Sequence, residues 1–131
     1  MTLLLDTHYV YMFAAAFRGA PASEKRFFER SKGRFVVSAV AVWEMRLKWG
    51  VKYRSGARKG PQRPEDALAI LRNLDLDFLP LTPDHSAATL ETPLGHRDPF
   101  DDLLLVQAQV EGMKLVSRDA LLEFHPLVIS P

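Results

Sequence analysis

Asp6, Glu44, Asp101 and Asp119 carry the chemistry this sequence offers, because each stands where a short apolar run gives way to a helix or turn. Asp6 closes Leu3-Leu4-Leu5, and Glu44 falls in the helix expected after Phe35-Val36-Val37. Asp101 opens a helix in Asp98-Pro99-Phe100-Asp101, and Asp119 follows Leu115-Val116-Ser117. If the apolar runs are parallel strands, their C-terminal ends gather at one edge of a sheet, where open α/β folds bind ligands. Two carboxylates about 4 Å apart repel by roughly 4 kcal/mol at an effective dielectric near 20. Protonation or a bound cation relieves that repulsion, so the set predicts a divalent-metal site.

Each acid also has a structural explanation. Asp6 can cap the helix after its strand, although Thr7 is equally able to do so. Glu44 shares a helical stripe with Val40, Leu47 and Val51, which puts a carboxylate into an expected core-facing stripe; an ion pair with Lys48, four residues on, is the structural alternative. Asp98 before Pro99 reads as an N-cap followed by proline at the first helical position. Asp101 shares its face with Leu104, Leu105 and Ala108 and so points inward, with the more exposed Asp102 a weaker candidate. Asp119 can cap a turn over residues 120–124, and Ser117 can orient a carboxylate or a metal-bound water. The histidines at 8, 85, 96 and 125 lack the paired spacing of a zinc hydrolase; His96 reads as a turn residue. No phosphate-binding glycine motif, serine triad or nucleophile elbow is present.

The elements that must position these groups alternate from end to end. Strands are expected at residues 2–5, 34–38, 77–81, 114–117 and 127–129. Helices are expected at 8–17, 23–32, 40–50, 64–73, 83–91 and 98–111, with Gly112 as the last one's stop. Residues 51–63, rich in Gly, Arg and Lys, read as a loop, and 120–124 as a helical turn. Such alternation predicts an α/β fold, a three-layer α/β/α sandwich around a mainly parallel sheet. With 131 residues, 47% hydrophobic and 25% charged, a single domain over 1–131 is expected.

The absence of cysteine excludes disulfides and thiolate metal sites. The first apolar stretch is too short to span a bilayer, and Asp6 interrupts any signal peptide, so a cytoplasmic protein is expected. The net charge of +1 is unevenly spread. Arg46, Lys48, Lys52, Arg54, Arg58, Lys59 and Arg63 fall in one acid-free segment, leaving ten basic and sixteen acidic residues elsewhere. Basic residues beside an acidic site suit a polyanion drawn to bound metal, and Trp49 and Tyr53 within the segment are able to stack on bases.

Taken in order, Leu-Leu-Leu-Asp-Thr-His at 3–8, Val-Ser-Ala-Val-Ala-Val-Trp-Glu at 37–44, Leu-Pro-Leu-Thr-Pro-Asp-His at 79–85, His-Arg-Asp-Pro-Phe-Asp at 96–101 and Leu-Val-Ser-Arg-Asp at 115–119 resemble the PIN domain. Within it they look closest to the VapC-type toxins of bacterial type II toxin–antitoxin pairs. The resemblance implies a Mg²⁺- or Mn²⁺-dependent endoribonuclease that leaves 5′-phosphate and 3′-hydroxyl ends. The family's acidic positions fall on Asp6, Glu44, Asp101 and Asp119, and its accessory hydroxyls on Thr7, Ser38 and Ser117. Asp102 stands where many relatives carry arginine, and Ser-Arg-Asp replaces the commoner Thr-x-Asp.

Asp6 and Asp101 are expected to hold the metal directly, with Glu44 and Asp119 orienting its waters or binding a second ion. Arg46, Lys48, Lys52, Arg54, Arg58 and Lys59 are expected to hold the RNA. The resemblance further implies a VapB-like antitoxin partner and a homodimer. The competing readings are a non-catalytic RNA-binding or interaction module of the same fold and, more remotely, a haloacid-dehalogenase-type phosphatase, which would need an Asp where His8 stands.

Overall fold

A computed structural model describes all 131 residues. The elements run β1 (Thr2–Leu5), α1 (Thr7–Ala14), α2 (Ala22–Arg30), β2 (Arg34–Ser38), α3 (Ala39–Gly50), α4 (Pro64–Arg72), β3 (Asp77–Leu79), α5 (Pro83–Ala87), α6 (Pro99–Glu111), β4 (Lys114–Val116) and β5 (Val128–Ile129). The five strands form one sheet in the order β3-β2-β1-β4-β5, and every pair is parallel. The expected α/β/α layering is what the chain adopts, with the sheet wholly rather than mainly parallel.

Side-chain alternation along the strands builds two cores. Leu3, Leu5, Val37 and Val116 face one layer, where they pack with Tyr9, Val10, Phe28, Met45 and Leu71. Leu4, Val36 and Leu115 face the other, against Leu104, Leu105, Ala108 and Leu122. Helix α3 serves both, with Val40 in the second core and Ala41 and Met45 in the first. This position corrects the expected stripe on α3. Leu47 and Val51 are 43% and 47% exposed, so the face that also carries Glu44 is not the core face.

Several boundaries differ from expectation for local reasons. Helix α1 stops at Ala14, three residues early, because Ala16 and Phe17 turn left-handed at φ 53° and 60°. The Phe17 ring packs on Phe13 and Phe28 at centroid distances of 4.8 and 5.4 Å, and that packing offsets the strain. Strand β3 ends at Leu79, where Pro80 has no N–H to continue the ladder. Residues 120–124 form a turn, and α5 ends at Ala87. Helix α6 begins and ends as expected. Asp98 accepts from the Phe100 and Asp101 amides at 2.9 and 3.2 Å, and Gly112 closes the helix at φ 68°.

The basic segment is more ordered than a plain loop. Tyr53 N–H donates to Ala57 O at 2.7 Å, Gly56 N–H to Tyr53 O at 2.9 Å, and Lys59 N–H to Val51 O at 2.8 Å. These bonds, with an antiparallel bridge between Lys52 and Arg58, make a short hairpin over residues 51–59, its turn eased by Gly56 at φ 86°. Arg58 fixes the hairpin to the end of α3. Its guanidinium lies 4.4 Å from the Trp49 ring centroid and donates to Trp49 O at 2.7 Å.

Candidate active site

The strand order reverses at β1, whose neighbours are β2 on one side and β4 on the other. In open parallel sheets the crevice beyond the strand ends at such a reversal is the usual ligand site. Asp6 follows β1 directly there, and Ser117 follows β4. Asp6 occupies the N-cap position of α1 but its side chain makes no capping bond; instead its Oδ2 accepts from the Ser117 hydroxyl at 2.5 Å. A cleft of about 1070 Å³ opens here, and Asp6, Glu44, Asp101 and Asp119 all line it, together with Thr7 and Asp98.

Each carboxylate is held by a neighbour. Thr7 Oγ1 donates to Glu44 Oε1 at 2.6 Å, while Lys48 Nζ stands 2.7 Å from Glu44 Oε2, so the anticipated ion pair forms within the cleft. His96 Nε2 meets Asp101 Oδ2 at 3.0 Å. Asp119 Oδ1 accepts from the Leu121 amide at 2.9 Å, and the Asp119 amide donates to Ser117 Oγ at 3.1 Å. Asp119 therefore caps its turn and faces the cleft together. Asp102 is exposed and absent from the lining.

Burial raises the pKa of Asp6; the Ser117 hydrogen bond works against that shift, while the Glu44 charge adds to it. Asp101, 8% exposed, is pushed up to about 6, chiefly by burial, with added repulsion from Asp98, Asp6 and Asp119 and partial relief from His96. The Glu44 charge thus reaches Asp6, and the Asp6 and Asp119 charges reach Asp101. Burial, then the Arg118 charge, lowers the pKa of His8, which also lines the cleft.

Ser38 sits elsewhere. Its hydroxyl accepts from the Val40 amide at 2.9 Å as the cap of α3 and donates to Gln107 Oε1. Gln107 in turn reaches Nδ1 of the buried His85 at 3.3 Å, and His85 Nε2 meets Glu111 at 2.9 Å. Of the hydroxyls named from sequence, Thr7 and Ser117 touch the carboxylates and Ser38 belongs to this buried polar chain.

Of the basic residues, Lys48 and Lys59 line the cleft, and Arg18 and Arg118 join them. Arg46, Lys52, Arg54 and Arg58 do not, Arg58 being held against Trp49. Sequence alone does not single out Tyr11, Arg18, Gln62 or Arg118. Helical spacing offers part of the missing signal: positions 8, 11, 12 and 15 share one face of α1, and that face lines the cleft.

The donors are hard oxygens, which suit Mg²⁺ or Mn²⁺. No three His, Asp or Glu side chains close into a cage about one point. Burial disfavours the charged forms of Asp6 and Asp101, and a cation beside them would offset that.

Similar solved structures span almost the full chain. A toxin–antitoxin complex from Klebsiella pneumoniae aligns with a TM-score of 0.64 at 18% identity, covering 97% of this chain and 95% of its own. VapBC2 from Rickettsia felis, bound to a DNA fragment from its promoter, gives 0.63 at 15% identity, covering 100% and 98%. DNA-bound VapBC from Salmonella typhimurium gives 0.59 at 19% identity, covering 100% and 97%. At these identities the likeness is one of fold. No curated protein matches significantly by sequence. The PIN domain family model matches residues 3–123, a span that holds all four acids and, but for Thr2, every strand of the sheet except β5: the chain belongs to the PIN domain family.

Proposed function

We propose that this protein is a VapC-type toxin, a metal-dependent endoribonuclease held in check by a VapB-like antitoxin. One observation carries the reading: two carboxylates with raised pKa values, the half-buried Asp6 and the buried Asp101, share one cleft with Glu44, Asp119 and four cationic side chains at the sheet's reversal point. Asp6 and Asp101 would hold Mg²⁺ or Mn²⁺, with Glu44 and Asp119 directing its waters. The bound ion supplies an acidified water and offsets charge building on the phosphate.

The chain's own residues do the positioning. Ser117 fixes the Asp6 carboxylate and Thr7 the Glu44 carboxylate, while His96 orients Asp101. Lys48, Lys59, Arg18 and Arg118 hold backbone phosphates over the acids. Cleavage on this reading leaves 5′-phosphate and 3′-hydroxyl ends. The protein is proposed to act in the cytoplasm as a homodimer; no helix is long and apolar enough to cross a membrane. Trp43, Leu47 and Val51, 43–47% exposed along one face of α3, offer an apolar surface for the second copy.

The test is cleavage of structured RNA by the purified chain. Activity should require Mg²⁺ or Mn²⁺, disappear with EDTA, and fall by at least about 100-fold in Asp6→Asn, a loss of roughly 3 kcal/mol of transition-state stabilisation. Turnover that survives both treatments would sink the nuclease assignment. Salt-sensitive RNA binding without turnover would identify the non-catalytic module instead.

A further inference from the structure

Two buried polar atoms of the cleft lining have no partner in the protein, the Tyr11 hydroxyl and Gln62 Oε1. Buried polar groups are almost always hydrogen-bonded, so two unpaired ones on side chains that line one cleft can bond a ligand once a turn of the side chain exposes them. The third such atom, Glu24 Oε2, differs: its side chain does not line the cleft, and its other oxygen accepts from Tyr9 and Arg118. Tyr11 lies one helical turn beyond Thr7, and the Glu44 charge acts on it, so Tyr11 sits beside the carboxylates, and Gln62 lines the same cleft.

Tyr53 supplies the next component. It lines the same cleft and is 57% exposed, and its backbone is held by hairpin bonds at Ala57 and Gly56. An open aromatic face on an ordered backbone is a stacking platform for a base. Lys59, on the returning strand of the hairpin, brings a cation for the adjoining phosphate. Gln62 Oε1 is an acceptor, which repels a phosphate oxygen but matches the donor on a base edge. The Tyr11 hydroxyl both donates and accepts.

We propose that Tyr11, Gln62 and Tyr53 form a nucleobase subsite, so that the cleft reads the identity of one base beside the phosphate it cuts. This inference rests on the RNA-cleaving reading above and adds substrate choice to it. A site built to hydrogen-bond a group discriminates strongly against ligands that leave its buried polar atoms unpaired. Selectivity then resides in Tyr11 and Gln62, and Tyr53 contributes base-tolerant affinity.

The experiment has two arms. The first maps cleavage positions on a random-sequence RNA pool with the wild type, Tyr11→Phe and Gln62→Leu. The wild type should favour one base at one position next to the cut, and each variant should flatten that preference by roughly tenfold. A preference that is absent, or unchanged in both variants, overturns the subsite. The second arm measures binding of short A, C, G and U oligoribonucleotides to Asp6→Asn, with and without the same substitutions. Base-selective binding that the substitutions abolish would keep the subsite even if the wild type cut no RNA, and the nuclease reading alone would fall. Equal binding of all four oligonucleotides counts against the subsite. Tyr11→Phe keeps the ring and its packing, and circular dichroism checks that each variant is folded.

Discussion

At Ser38 and Ser117 one residue type does two different jobs, and geometry separates them. Ser117 donates to Asp6 within the cleft, whereas Ser38 caps α3 and anchors Gln107 inside the protein. Ser117→Ala should therefore lower metal-dependent RNA cleavage per folded molecule about tenfold or more, a loss of one charge-assisted hydrogen bond of roughly 1.5–3 kcal/mol, and should also lower the melting temperature, because the Asp119 amide loses its acceptor. Ser38→Ala should lower stability alone: removing a cap and leaving a buried amide unpaired costs about 1–3 kcal/mol, while activity per folded molecule stays near that of the wild type. Thermal melting and turnover on the same preparations decide; equal effects of the two substitutions on activity would return Ser38 to the site. From sequence both serines look alike, since each ends an apolar strand. Which way a hydroxyl turns depends on a partner such as Gln107, 69 positions away, and no local pattern carries that. The acids were more legible because four of them recur at the ends of apolar runs, although each one alone also reads as a cap or an ion pair. Even so, Glu44 does not lie on a core-facing stripe of α3: Leu47 and Val51 are exposed, and Glu44 borders the cleft because α3 straddles both cores.

The hairpin over residues 51–59 is the element whose form the sequence concealed. Its Gly, Arg and Lys content matches a mobile loop, and what orders it is tertiary: Arg58 on Trp49, and Gly60 against the end of α3. A Cβ at Gly60 would lie 2.9 Å from Trp49 N and 3.2 Å from Lys48 C, contacts with backbone that cannot swing aside. Gly60→Ala should therefore lift the hairpin from α3, lowering stability by about 1–3 kcal/mol and speeding tryptic cleavage after Lys52, Arg54 and Lys59. Arg58→Lys should give a milder version, because lysine lacks the planar face and the forked donors. Limited proteolysis followed by mass spectrometry reads this directly, and unchanged cleavage rates in both variants would show that the hairpin is held by something else. The strands and long helices needed no such long-range help. Alternating apolar residues, the Asp98-Pro99 start and the Gly112 stop are local signals, and α6 follows them to the residue. Missed ends, at α1 and β3, came from the aromatic cluster around Phe28 and from Pro80.

Across the whole molecule, the charges gathered at the sheet's reversal point link folding to pH and to metal. Asp101 has a folded-state pKa of about 6 against an ordinary 3.8, with burial as the main cause, and Asp6 is shifted in the same direction. An acid whose pKa is raised on folding binds its proton more tightly in the native state. Its contribution to stability is therefore present at low pH and is lost as pH rises from about 4 through about 6. Above that window the metal-free protein carries uncompensated carboxylates in the cleft, and a cation that binds only the folded state stabilises it according to its concentration relative to its dissociation constant. Thermal melts with and without Mn²⁺ should then show a larger metal-induced rise at pH 7.5 than at pH 5, where Asp101 is largely protonated and competes with the ion. Asp101→Asn should raise the melting temperature of the metal-free protein at pH 7.5 by a few degrees, since about 1 kcal/mol moves it roughly 3–6 °C in a chain of this size, and should shrink the response to Mn²⁺. A metal-induced shift of equal size at both pH values, or one undiminished in Asp101→Asn, would detach this carboxylate from ion binding and leave its burial a purely structural strain.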